Sequence, residues 1–186
     1  MDAIALKPFP TIKRPAPPLS ERLAALGVNM RPAALADTPF LRRLYAETRA
    51  PELIATRWPA AEKAAFCDSQ FALQHSDYVR RFPRSDFWVV TQATAVSIGD
   101  VGRLSLDRKS RAWRVIDIIV ALDARGQGLG TALIEWVQAS ALAAGAQSVA
   151  LTVATTNPGA MALYGRLGFV ETGAVTPLHR AMEWRP

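Results

Sequence analysis

A mixed α/β or α+β domain, with a central sheet of about six or seven strands and about four flanking helices, is the fold this sequence predicts. Three observations carry that expectation. Short runs of alternating apolar residues outnumber the runs with helical spacing. The two kinds of run interleave in the C-terminal third, as where helices return the chain between strands. In the run over 113–121, Ile116, Ile118, Ile119 and Val120 are apolar on both faces around Asp117, the mark of a central, covered strand.

The elements follow in order. Residues 1–27 read as a leader. Five of the thirteen prolines fall within its first 19 residues and remove donors, so an extended, mobile segment is expected. Ser20 is placed to cap a short helix through Leu26, ended by Gly27. One domain is expected over 28–186, starting with a short strand at 28–31. Asp37 reads as the N-cap of a helix carrying Phe40, Leu41, Leu44 and Tyr45 at helical spacing. A second helix is expected from Ala60 to Arg81, closed by Pro83. On it Phe66, Gln70, Gln74 and Tyr78 stand four residues apart and form one stripe.

Strands are expected at 87–91, 95–106 and 113–121. Gly99-Asp100 interrupts the second and reads as a bulge. The polar turn Asp107-Arg108-Lys109-Ser110 makes the second and third a hairpin. Leu129, Leu133, Ile134, Val137, Ala141 and Leu142 mark a helix stopped by Gly145. Val149, Leu151 and Val153 alternate as a strand. Asn157-Pro158 has the chemistry of an N-cap followed by proline at the first helical position. Ala160, Leu163, Tyr164 and Leu167 then share one face, ended by Gly168. Strands at 169–172 and 180–184 complete the chain.

Composition narrows the function. The single cysteine, Cys67, allows no internal disulfide and fits a reducing compartment. With no apolar stretch at the N-terminus and no run long enough to span a bilayer, a cytoplasmic protein is expected, with no membrane partner. His75, His179 and Cys67 have no ligand spacing, so no metal is expected. The net charge of +6 suits a basic surface or a polyanionic ligand. Arginines at 42, 43, 80, 81 and 84 lack an aromatic platform, so nucleic acid is not expected.

The informative segment runs from Val120 to Thr131. It leaves the covered strand and enters an amphipathic helix. Gly126, Gly128 and Gly130 remove side chains where a ligand would approach the backbone. Successive N–H groups at a helix N-terminus form an anion site, strengthened by the dipole. Arg125 adds a charge and Thr131 a hydroxyl, a set that suits a pyrophosphate. A Walker loop needs Gly-Lys-Ser/Thr, and a dinucleotide fingerprint needs GxGxxG. Neither spacing is present.

Arg125-x-x-Gly128-x-Gly130, after a strand and opening a helix, resembles the acetyl-CoA motif of the GNAT superfamily of N-acetyltransferases. A second motif agrees: Asn157-Pro158-x-Ala160-x-x-Leu163-Tyr164-x-x-Leu167-Gly168-Phe169. The resemblance covers about residues 28–184 and implies a mostly antiparallel sheet. It implies acetyl transfer from acetyl-CoA to an amine of a small molecule or polypeptide. Backbone groups of Ile118, Ile119 and Val120 would bind the pantetheine arm as an added strand. Arg125, Gly126, Gln127, Gly128, Leu129, Gly130 and Thr131 would hold the pyrophosphate. Asn157 would touch the pantetheine or the amine side. Tyr164 would lie near the thioester sulfur, placed to protonate the departing thiolate, with packing against Leu163 and Leu167 as its rival reading. A backbone N–H near Ile119 would meet the developing oxyanion.

The family's N-terminal acetyltransferases often carry a glutamate five residues before the motif asparagine. Thr152 stands there, which argues against that class. Asp117, desolvated in an apolar strand, is the candidate base, with a bonded structural aspartate as its rival reading. Gln70, Gln74, Tyr78 and His179 are the candidate acceptor-side residues. The acceptor is unidentified, and a homodimer is left open. The alternative from another class is a non-catalytic acyl-CoA-binding sensor.

Overall fold

The computed structural model describes residues 6–11, 14–94 and 96–186. Ala95, expected to begin a strand, and leader residues 1–5 and 12–13 lie outside them. Among the described residues seven strands form one sheet, in the order β1-β2-β3-β4-β5-β7-β6. The strands are β1 (Val28–Pro32), β2 (Asp86–Ala93), β3 (Ile98–Asp107), β4 (Ala112–Val120), β5 (Ser148–Ala154), β6 (Val170–Thr176) and β7 (His179–Trp184). Every pairing is antiparallel except β4 with β5.

Among the described residues five α-helices cover the sheet: α1 (Glu21–Ala25), α2 (Thr38–Ile54), α3 (Ala60–Arg81), α4 (Leu129–Ala143) and α5 (Pro158–Arg166). The bounds of α3 are those read from the sequence. Ser20 caps α1 through its hydroxyl, and the Asn157 carboxamide oxygen accepts from the Ala160 N–H at 3.1 Å. Asp37 does not cap α2 with its side chain. Its carboxylate instead takes the Ala34 N–H and a bidentate pair from Arg31, which stabilises the charged acid and holds it below the usual carboxylate range.

Two apolar clusters lie on opposite sides of the sheet. The larger joins Leu23 of α1 and Leu133, Trp136 and Val137 of α4 to Trp88, Leu104 and Leu106. The smaller joins Leu41, Leu44 and Tyr45 of α2 and Phe71 of α3 to Val89 and Ile119. Residues fully removed from water on both faces supply most of the driving force for this arrangement.

A register shift decides which face each β4 residue meets. Ser105 pairs with Asp117 and Leu106 with Val115, so Ile116 is an extra residue. Trp113 and Val115 belong to the α4-side cluster. Strict alternation would send Asp117 to that side as well. Across the bulge the parity flips, and Ile119 joins the α2–α3 cluster. The bulge expected near Gly99-Asp100 is also present, with Val101 as the extra residue of β3 against β2.

The described part of the leader lies on the domain. Leu6 and Phe9 pack on the α2–α3 cluster, and Phe9 meets the His75 ring edge-on at 4.7 Å. His75 Nε2 is 2.6 Å from the Lys7 carbonyl oxygen, and Trp136 Nε1–H donates to the Pro18 carbonyl at 2.7 Å. The leader therefore touches both faces. Arg108, read as part of a polar turn, pairs with the buried Asp86 at 2.6 Å and lies over the rings of Trp88 and Trp113.

Candidate active site

β4 and β5 are parallel partners only from Ala112 to Arg114 and from Ser148 to Ala150. Beyond that they part. The C-terminal half of β4 faces a cleft and is less covered than its composition suggested: Ile116, Asp117, Ile118 and Val120 are half-buried. Ala121 N–H donates to Val101 on β3, so by the period of two Ile119 also turns its peptide groups to β3. Ile118 and Val120 present theirs to the cleft. This corrects the expectation for Ile119 as a pantetheine or oxyanion partner. Close β3–β4 approach is built in at Gly102, where a Cβ would stand 2.5 Å from the Ile119 oxygen.

At the open end of the cleft the chain makes a 3-10 turn, Leu122–Ala124, and then the glycine loop. Glu47 of α2 anchors the turn by accepting the Leu122 N–H at 3.0 Å. Gly126 and Gly128 have φ of +77° and +79°, which L side chains rarely adopt. Open space lies where a Cβ of Gly126 would be. Gly128 immediately precedes α4, whose first turn carries no acidic residue. The loop thus combines free N–H groups and a helix dipole with open space at Gly126, which fits a diphosphate. Arg125 donates from Nε to the Val120 carbonyl at 2.8 Å and is otherwise exposed. Gln127 bonds back to the Asp123 carbonyl. Leu129 is buried in the core, so it contributes only its backbone.

Tyr164 projects from α5 into the core and is 7 % exposed, its ring 5.8 Å from that of Phe169. Burial, and then the Asp117 carboxylate, push its phenol up to about 12. It therefore stays protonated at neutral pH. Asn157 spends its oxygen on the α5 cap and is exposed.

Asp117 is not a lone acid. The guanidinium of Arg103, from the neighbouring strand, pairs with it, and the two side chains are 10 % and 17 % exposed. Arg103 Nη2 also donates to Gln74 Oε1 at 2.8 Å. Tyr78 lines the same pocket as Arg103, with His75, Phe87, Ser105 and Phe9. Burial, followed by the Asp117 carboxylate, raises the Tyr78 phenol well above its ordinary value. Burial also lowers the His75 imidazole, with Arg103 acting in the same direction. Two of the acceptor-side expectations, Gln74 and Tyr78, thus come together with Asp117. Gln70 is half-buried on the same helix. His179 is exposed in the β6–β7 hairpin, bonded to Thr176, and is not among the pocket's lining residues.

Sequence reasoning missed Arg103 and Phe9. Arg103 had a signal: Arg103 and Ser105 alternate with Leu104 and Leu106 in a strand, so one face of that strand is polar. Phe9 had none, because nothing local ties a proline-rich leader to a helix far along the chain.

The profile of the acetyltransferase (GNAT) family matches residues 44–169, more than half of the chain. The chain belongs to the GNAT family. A curated relative, N-acetyltransferase 8B of Rattus norvegicus, is 33% identical over 104 residues, 54% of this chain and 45% of that protein. The chain therefore matches about half the length of that relative. Among solved structures, the PaiA N-acetyltransferase of Thermoplasma acidophilum in complex with coenzyme A superposes with a TM-score of 0.62 at 11% identity, covering 86% of this chain and 99% of that one. An acetyltransferase of Thermus thermophilus gives 0.62 at 19% identity, over 87% and 98% of the two chains. A spermidine N-acetyltransferase of Vibrio cholerae in complex with CoA and spermine gives 0.57 at 18%, over 86% and 95%. At these identities the structural likeness speaks for the GNAT fold alone. Among the described residues no helix is long and apolar enough to cross a membrane.

Proposed function

We propose that this GNAT-family chain transfers the acetyl group of acetyl-CoA to a primary or secondary amine. The observation that carries the reading is the cleft where β4 leaves β5, ending in a glycine loop at the N-terminus of α4. An extended arm fits along the open edge of β4 while an anion sits on the loop. Acetyl-CoA bound there would supply an activated acetyl thioester.

The reaction forms a C–N bond, breaks a C–S bond and takes one proton from the amine. Peptide groups of Ile118 and Val120 orient the arm and offer N–H donors inside the cleft. Arg125, Gly126, Gln127, Gly128, Leu129, Gly130 and Thr131 fix the phosphate end, the first by charge and the others mostly by backbone. Tyr164 holds a proton beside the leaving sulfur. A phenol near 12 is a weaker acid than a thiol near about 8.5, so free transfer to the thiolate is uphill. Tyr164 therefore acts as a hydrogen-bond donor to the sulfur as the C–S bond breaks. Its proton moves only in concert with the proton lost by the amine. Asp117, paired with Arg103, shapes the acceptor side rather than serving as a free base. Gln74 and Tyr78 extend that wall. The greater part of the rate comes from holding the two reactants in place.

A thermal melt tests the reading. Excess acetyl-CoA at about 100 times its dissociation constant adds roughly 2.7 kcal/mol, a rise of about 5–11 °C for a chain of this size. ATP and NAD serve as controls. A rise with acetyl-CoA alone, followed by thiol release with an amine panel, supports acetyl transfer. A folded sample with no rise removes the loop from coenzyme binding.

A further inference from the structure

The short helix α1 brings a charge to the coenzyme loop from outside it. α1 is fixed from several directions. Leu23 is fully buried in the larger core cluster, and Trp136 of α4 holds the Pro18 carbonyl just before the helix. Gly27, which ends α1, has φ +68°, and a Cβ there would stand 2.5 Å from the Ala93 oxygen. The placement of α1 against α4 is thus set by packing rather than by charge alone.

Arg22 projects from this anchored helix. Its Nη1 donates to Glu135 Oε2 on the second turn of α4 at 2.5 Å. Its Nη2 stands 3.7 Å from the position a Cβ of Gly128 would take. The guanidinium is held by one edge while the other lies beside the residue that opens α4. Arg125, the loop's own cation, spends its Nε on the Val120 carbonyl. Asp123, two residues before Arg125, adds a negative charge to the same turn. A ligand with phosphate charges therefore gains from a cation on the far side of Gly128.

We infer that Arg22 is a second phosphate-binding residue of the coenzyme site, contributed by α1 and oriented by Glu135. This rests on the reading that the loop binds acetyl-CoA. The chemistry recognised is a phosphate oxygen, from either the diphosphate or the 3′-phosphate of the ribose. Glu135 holds the guanidinium in place, so less conformational freedom is lost when the anion arrives.

The test titrates the full chain with CoA and with dephospho-CoA, which keeps the diphosphate and lacks the 3′-phosphate. Arg22→Ala is expected to weaken CoA about 3–10-fold, the range for a partly exposed charged contact. The melting temperature of the unliganded protein is the control for folding. A loss of equal size with both ligands places the contact at the diphosphate. A loss confined to CoA places it at the 3′-phosphate. Either outcome upholds the inference. Glu135→Gln removes the ion pair but keeps Arg22, so CoA affinity should fall by less than in Arg22→Ala. Equal losses in the two variants would make the pair a brace for α1 and overturn the inference. So would an unchanged dissociation constant in Arg22→Ala. A wild-type protein that ignores CoA defeats the acetyltransferase reading instead, a result easily told apart from these.

Discussion

On the loop side of the cleft, the groups offered to a ligand are backbone: the peptide edge of Ile118, the N–H of Val120, and the N–H groups of a loop with Gly126 and Gly128 at positive φ. On the α3 side they are side chains already bound to one another, with Gln74, Arg103 and Asp117 in one line and Phe9 of the leader against the same pocket. A backbone site needs particular φ values and empty Cβ positions, so it leaves glycines at fixed spacing in the sequence. A side-chain site needs only that distant residues meet, so many sequences can build one. The first kind is shared readily across a family of acetyltransferases. The second is free to vary from chain to chain, which suits the acceptor side proposed above.

Breaking the backbone side should have the largest effect. Gly128→Glu places a carboxylate on the proposed phosphate site and forces a side chain onto φ +79°. It is expected to weaken CoA by more than about 100-fold, so that the ligand-induced rise in melting temperature disappears. The unliganded fold should lose only about 1–2 kcal/mol. Full retention of CoA affinity would show that the loop is not the phosphate site.

Next comes the phenol between the two sides. Tyr164→Phe should lower turnover about 10²–10³-fold with acetyl-CoA affinity kept. Because burial holds this phenol near 12, no loss of activity should come from its ionisation below about pH 10. Turnover equal to wild type would return Tyr164 to a packing role beside Phe169.

The smallest effect falls on the side-chain wall. Asp117→Ala leaves the guanidinium of Arg103 without its carboxylate in a site where it is only 10 % exposed. Stability should drop by about 2–3 kcal/mol, after discounting for partial exposure. That is a fall in melting temperature of about 4–12 °C. Asp117 would regain its standing as an independent base only if the variant kept its melting temperature and lost activity.

Much of this molecule was legible along the chain. The seven strands, the bounds of α3 and the caps at Ser20 and Asn157 follow from periodicity and end chemistry, which are local. The glycine loop was legible for the same reason, since strand, turn and helix N-terminus are contiguous from Val120 to Thr131. Tertiary structure decided what joins separate segments. It set the bulge at Ile116 that turns Asp117 toward α3, and it paired that acid with Arg103 across a hairpin. It also laid Phe9 against His75, and Arg22 beside Gly128. Local order is written in the spacing of neighbours. A contact between distant residues exists only once the sheet and helices have fixed where each side chain points.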